Sequence, residues 1–186
     1  EELARLPPKL KAASQAAIEN GTLEIVHAPD VAEMDESPVE SVKKKKDCSI
    51  NVAMRLVKEG RADAFVSAGN SGAVATSAIL ILGRVPGVKR PAIATVMPNR
   101  NPKRPLLVLD AGANMDCHPE WLVQFAIMGS VYSQGVLKRT KPLVGLLSIG
   151  TEDCKGNEMT KETFRLLKEV QGIDFRGNGE GHDIFQ

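Results

Sequence analysis

Apolar residues recur along the chain in two rhythms. Short apolar runs of about five residues alternate with longer stretches whose apolar positions fall three and four apart. Residues 9–20 (KLKAASQAAIEN) follow two prolines and end at Asn20-Gly21, which predicts a helix with a clear stop. Leu23–His27 reads as a short strand. Residues 29–47 carry two prolines, several acids and the run Lys43–Lys46, which predicts a loop with at most one helical turn. In residues 49–59, Ile50, Met54 and Val57 lie at helical spacing and Gly60 closes the element. Ala64–Ala68 reads as a buried strand, and a helix follows Gly72 (AVATSAILIL). Strands are expected at 92–97 and 106–110. A long helix is expected from Pro119 to Leu137, a strand at 143–149, a helix over 158–170 and a strand starting at Ile173. Strands alternating with helices of 10 to 19 residues predict βαβ units. The expectation is an α/β fold: a three-layer α/β/α sandwich with a mostly parallel, Rossmann-like sheet, in one domain spanning 1–186.

Composition leaves that picture intact and removes several function classes. Of 186 residues, 42% are hydrophobic and 25% charged, as in a globular domain. The formal net charge of +1 gives no global reason to expect nucleic acid as a partner. Three cysteines (Cys48, Cys117, Cys154) without a CxxC fit a reducing compartment rather than a disulfide scaffold. His27, His118 and His182 show no ligand spacing, so neither a metal nor a cofactor is expected. No apolar run approaches the ~18 residues of a membrane span. The chain opens inside a helix-like segment without Met and stops soon after a strand, which suggests part of a longer protein.

Three polar loops leave the carboxyl ends of predicted strands, where open α/β sheets bind ligands. The first holds Gly69, Asn70, Ser71 and Gly72 before a helix start. Glycines admit close approach to an anion, and free N–H groups and the helix dipole favour negative charge. A tight strand–helix turn is an equal reading. The second loop runs from Asp110 to Asp116. Asp110 and Asn114 lean toward a ligand, whereas Asp116 reads better as a local cap. The third, residues 150–157, contains Lys155, the one cation of the three loops, beside Gly156. It also carries Thr151, Glu152 and Asp153, and either acid is able to pair with Lys155 or to orient a substrate, Glu152 being the candidate substrate-binding acid. A lysine there suits a phosphate or a developing oxyanion, and a solvated loop lysine is the alternative.

Longer strings narrow the choice. ADAFVSAGNSGAVATSAILILGRVPGVKRPAIAT (62–95), LLVLDAGANMDCHPEWLVQFAIMGSVYSQ (106–134) and VGLLSIGTEDCKGNEMTKETFRLLK (144–168) closely resemble the phosphate acyltransferase (PlsX) family of bacterial phospholipid synthesis. The segment SPVESVKKKKDCSINVAMRLVKEGRADA fits as well, so the likeness covers essentially the whole chain. Family members usually carry a further N-terminal strand with a Gly-Gly-Asp segment and continue well beyond Gln186. A fainter likeness to phosphate acetyltransferases, with a strand–SGA–helix segment and a Lys-Gly loop in the same order, makes the fold related to theirs by analogy.

The resemblance implies transfer of a fatty acyl group from acyl carrier protein to inorganic phosphate, without a covalent enzyme intermediate. It implies a homodimer and a cytoplasmic protein that touches the membrane peripherally. It also implies a functional link to a membrane acyltransferase that uses the acyl phosphate to acylate glycerol 3-phosphate. On this reading Lys155 is the central electrostatic residue. Asn70, Ser71 and Gly72 cradle phosphate, and Asn114 and Thr151 position a substrate. Acyl carrier protein is acidic, so Lys43, Lys44, Lys45 and Lys46 form one candidate docking patch, and Lys138, Arg139 and Lys141 another. A solvated charge run is the preferred reading of either patch taken alone. An acyl-cysteine route through Cys154 or Cys117, a coenzyme A donor, a nucleotide-dependent oxidoreductase and a non-catalytic phosphate- or carrier-binding fragment are the competing expectations.

Overall fold

The structure, a computed structural model, describes residues 5–153 and 155–185. Two compact units make up the chain, one ending at Ser77 and one beginning at Ala78. Taken together, the elements are mixed α/β, helices with small sheets.

The first unit is helical: α1 (Pro8–Glu19), α2 (Pro38–Lys44), α3 (Ser49–Lys58) and α4 (Ser71–Ser77). Pro8 and Pro38 stand in the first turns of their helices, where a missing N–H costs nothing. The core of the unit is small. Val42, Cys48, Ile50 and Ala73 are buried together, with Ala32, Phe65 and Val74 against them. The 29–47 segment is therefore more ordered than a loop with one turn, because Val42 of α2 buries into this cluster.

Two expected strands do not form. Leu23–His27 and Ala64–Ala68 pair with nothing among the described residues, and Val66 is 94% exposed. Strand propensity expresses packing against neighbouring strands, so an apolar run without a paired edge stays irregular. Among the described residues of this unit, the only trace of strand pairing is the isolated parallel bridge between Asp30 and Cys48.

The second unit opens with a π-helical turn (Ala78–Leu82) and carries two two-stranded sheets. β1 (Thr95–Met97) pairs antiparallel with β2 (Leu106–Val108), Val96 opposite Leu107. Residues 98–105 are too short for the crossover that parallel strands need, so the antiparallel sense follows from the connection. After α5 (Pro119–Gly135), β3 (Leu143–Leu147) and β4 (Asp174–Gly179) pair in parallel through α6 (Glu158–Glu169), the expected βαβ unit. A short 3-10 helix (Gly181–Phe185) follows β4.

β3 alternates as a half-covered strand should. Leu146 is buried, whereas Leu143 and Leu147 are exposed. Its covered face meets Phe164 and Leu167 of α6, with Leu122, Val123 and Ala126 of α5 alongside. Phe164 and Phe175 pack edge to face at 5.3 Å. Fully burying a side chain such as Leu167 is worth about 1.5–3 kcal/mol. Asn157 caps α6 by accepting from Thr160 N at 2.9 Å. No helix among the described residues is long and apolar enough to cross a membrane.

Candidate functional site

The first loop lies in the unit that ends at Ser77, and its residues are occupied locally. Asn70 is buried, its Oδ1 accepts from Ala73 N at 3.0 Å, and its Nδ2 donates to the carbonyls of Glu33 and Met34. It caps α4 and ties residues 33–34 to it. Gly72 is required for space, since a Cβ there would lie 2.7 Å from Pro38 of α2. Gly69 donates its N–H to Ser67 Oγ, and Ser71 is exposed.

The second loop is a clasp. Asp110 Oδ1 accepts from Ile93 N at 2.7 Å, and Oδ2 accepts from Asn114 N at 2.7 Å and Asn114 Nδ2 at 3.0 Å. Asn114 Nδ2 also donates to Pro91 O. Both oxygens of Asp110 are thus committed to joining residues 91–93 to residues 110–114, a role closer to framework than to substrate contact. Asp110, Asn114 and Asp116 line one end of a cavity of about 630 Å³. Its walls are the edges of β2 and β3, Phe125 and Gly129 of α5, and Asn157 and Thr160 of the first turn of α6. The volume falls within the ~300–1,000 Å³ typical of small-ligand sites. Thr151, Glu152 and Lys155 do not line it.

The third loop follows β3. Lys155 N donates to Glu152 O at 3.0 Å, closing a turn that presents the exposed Lys155. Neither neighbouring acid takes its charge. Asp153 pairs with Lys168 of α6 at 2.7 Å, and among the described residues Lys155 makes no ion pair. Gly150 is packed beneath this turn, where a Cβ would meet Lys155 Cγ at 2.9 Å and Glu152 Oε2 at 3.0 Å. Gly156 has φ +103°, and a Cβ there would meet Thr160 Oγ1 and Ser148 Oγ. Both glycines therefore let a lysine-bearing loop lie flat on the strand tip and on the start of α6. Thr151 is exposed. Ser148 and Asn178, which no motif marks, stand beneath the loop. No spacing rule finds Asn178, because strand register brings it there.

The cysteine route has little support among the described residues. Burial, followed by the charges of Asp110 and Asp116, pushes the Cys117 thiol above its ordinary range. His118 packs edge-on against Trp121 at 4.5 Å, and the polar contact of Cys117 is Asn114 O. Cys154 lies outside the described residues. Cys117 is expected to alkylate with iodoacetamide at neutral pH more slowly than a free cysteine peptide, with the rate still rising beyond the peptide's own plateau. A rate that levels off below pH 8 would contradict this.

In the lysine run, Lys44 pairs with Glu40 at 2.8 Å and Lys45 with Glu36 at 2.5 Å. The hydrogen bond from Lys45, then that from Ser41, holds Glu36 below the usual carboxylate range. Half of the run is thereby neutralised within its own helix and turn. Lys43 and Lys46 remain exposed. In the other basic stretch, Lys138 and Arg139 donate to the carbonyls of Gly135 and Pro105.

Residues 8–186 match the family model described as fatty acid synthesis protein. The chain is 50% identical over 182 residues to a phosphate acyltransferase of Trichodesmium erythraeum, covering 98% of this chain and 54% of that protein. It is 51% identical over 178 residues to one from a Cyanothece species, covering 96% and 52%. It is 55% identical over 161 residues to one from Thermosynechococcus vestitus, covering 87% and 47%. The chain thus spans about half the length of the curated relatives it matches.

Proposed function

The chain belongs to the fatty acid synthesis protein family, and from that membership we propose that the whole protein transfers a fatty acyl group from acyl carrier protein to inorganic phosphate. The observation that carries the proposal is identity of about one half, over nearly the entire chain, to proteins named phosphate acyltransferase. The third loop supplies chemistry that fits. An exposed lysine that makes no ion pair among the described residues is a ready partner for phosphate, and two glycines hold it against the start of a helix.

In the proposed reaction a phosphate oxygen attacks the thioester carbonyl carbon. The C–S bond breaks, the electron pair leaves with the carrier's thiolate, and an acyl phosphate forms. A thiolate is a good leaving group, so the demand on the protein is to hold and aim phosphate and to stabilise the tetrahedral oxyanion. Lys155 serves that charge and Thr151 adds a hydroxyl. Asp110 and Asn114 frame the neighbouring cavity, whose apolar wall of Leu107, Leu109, Phe125 and Leu146 is the candidate seat for the acyl chain. The three-layer sandwich with a mostly parallel sheet belongs to the same proposal, as do the homodimer and peripheral membrane contact. So do carrier docking through the lysine run and handoff to a membrane glycerol 3-phosphate acyltransferase.

The test incubates the full-length protein with phosphate and either palmitoyl-carrier protein or palmitoyl-coenzyme A. Remaining thioester is removed and acyl phosphate is trapped with hydroxylamine. Hydroxamate from the carrier-protein donor is expected. Product from coenzyme A alone would move the donor assignment, and product from neither donor would overturn the activity.

A further inference from the structure

We propose that Asn178, on β4, is a positioning residue that sets Lys155 for phosphate, an inference that rests on Lys155 being the phosphate-binding group. In the parallel register, Asn178 lies opposite Leu146 and Gly179 opposite Leu147. Leu146 faces α6. Residues opposite one another in a sheet share a face, so Asn178 points to the α6 side. It stands at the tip of the strand, under loop 150–157.

Asn178 Nδ2 donates to Glu152 O at 2.8 Å. The same carbonyl accepts from Lys155 N at 3.0 Å. A carbonyl oxygen has two lone pairs, and here one closes the lysine's turn while the other fastens that turn to the sheet. The remaining fixed point is on α6, where Asp153 pairs with Lys168, whose ammonium lies 4.6 Å from the centre of the Phe164 ring. Anchored on both sides, the turn gives Asp153 to Lys168, and among the described residues neither Asp153 nor Glu152 forms an ion pair with Lys155.

The chemistry beneath the loop costs stability, which argues that it serves something other than packing. Asn178 Oδ1 and Ser148 Oγ are both buried without a hydrogen-bond partner among the described residues. Ser148 is held at the strand tip by its N–H to Gly179 O at 2.8 Å, and its Oγ lies 2.9 Å from where a Cβ on Gly156 would stand. Leu146 on the same face shows that an apolar residue packs well against α6. An amide there in place of a leucine trades burial for one directed bond, the one to Glu152 O.

The test measures affinity for inorganic phosphate by calorimetry, and acyl phosphate formation, in the full-length protein. Asn178→Ala, Lys155→Ala and the double variant are compared with wild type. Asn178→Leu serves as a second single variant that keeps the size, adds no charge and removes the donor. Either Asn178 variant is expected to weaken phosphate binding about tenfold, the scale of one directed hydrogen bond, and to leave the KM for acyl carrier protein unchanged. In the Lys155→Ala background the Asn178 substitution is expected to add nothing, because its effect passes through the lysine. Additive losses would overturn the proposal while leaving the Lys155 assignment intact. A wild-type response to Lys155→Ala, or no phosphate binding by the wild type, would overturn both. Coupled losses in phosphate binding in a protein that makes no acyl phosphate would uphold the positioning role and reject the activity.

Discussion

Lys155→Ala is expected to lower kcat/KM for acyl phosphate formation by about a hundredfold. The reasoning starts from what does not neutralise the lysine. Asp153, Glu152 and Glu158 are its nearest acids in sequence, and Asp153 is bound to Lys168 at 2.7 Å. Among the described residues no acid pairs with Lys155. Removing one donor that meets a developing oxyanion typically costs 10²–10³ in rate, about 2.7–4 kcal/mol. Lys155 is exposed, and solvent screening places the expected loss at the lower end. Lys155→Arg is expected to recover only part of it, because a planar fork does not reproduce a compact ammonium on a flexible stem. If the charge acts on phosphate, the loss appears chiefly in the KM for phosphate. If it acts on the oxyanion alone, the loss appears in kcat. Turnover by Lys155→Ala within twofold of wild type would remove the residue from the mechanism.

Much of the architecture around this lysine is legible in the sequence, for identifiable reasons. α3, α5 and α6 lie within a residue or two of where helical spacing, Pro119 and Gly60 put them. Helix signals are local, so they survive without knowledge of the partner surface. The β3–α6–β4 unit is legible for the same reason, because a helix between two apolar runs dictates a parallel pair. Leu23–His27 and Ala64–Ala68 have the same apolar look and no partner strand among the described residues, and a strand exists only through its partner. The antiparallel β1–β2 pair was signalled by the short segment 98–105, a connection-length cue that hydrophobic patterning alone does not weigh.

The site divides along the same line. Lys155 and its glycines announce themselves as a cation in a polar loop after an apolar strand. Asp110 and Asn114 carry the same polar signature and prove to be bonded to each other and to residues 91–93. An Asp/Asn pair four residues apart reads identically whether it faces a ligand or its own backbone. Asn178 sits on the other side of that limit, since nothing near it in sequence points to Glu152, 26 residues away.

Asn51→Leu is expected to destabilise the unit ending at Ser77 by about 3 kcal/mol, measured as a fall in the urea midpoint at unchanged slope. Asn51 is 3% exposed on α3, and its amide joins three segments. Nδ2 donates to Val42 O at 2.9 Å and to Lys45 O at 3.1 Å at the end of α2, and Oδ1 accepts from Ser77 Oγ at 2.8 Å at the end of α4. Leucine of similar volume fills the space and answers none of these groups. Ser77 is fully buried, so its hydroxyl is orphaned at about 1–3 kcal/mol. Adding Ser77→Ala to Asn51→Leu is therefore expected to recover part of the loss, since it removes the orphan, whereas Ser77→Ala in the wild type orphans only the Asn51 oxygen. Asn51→Asp tests the donor alone. It sets a carboxylate against two carbonyls, which raises its folded pKa above the unfolded value of about 3.9. Between those two pKa values the folded state binds more protons, so the stability of this variant falls as pH rises through that window and then levels off. An Asn51→Leu protein within about 1 kcal/mol of wild type would mean that the buried amide is not what joins α2, α3 and α4.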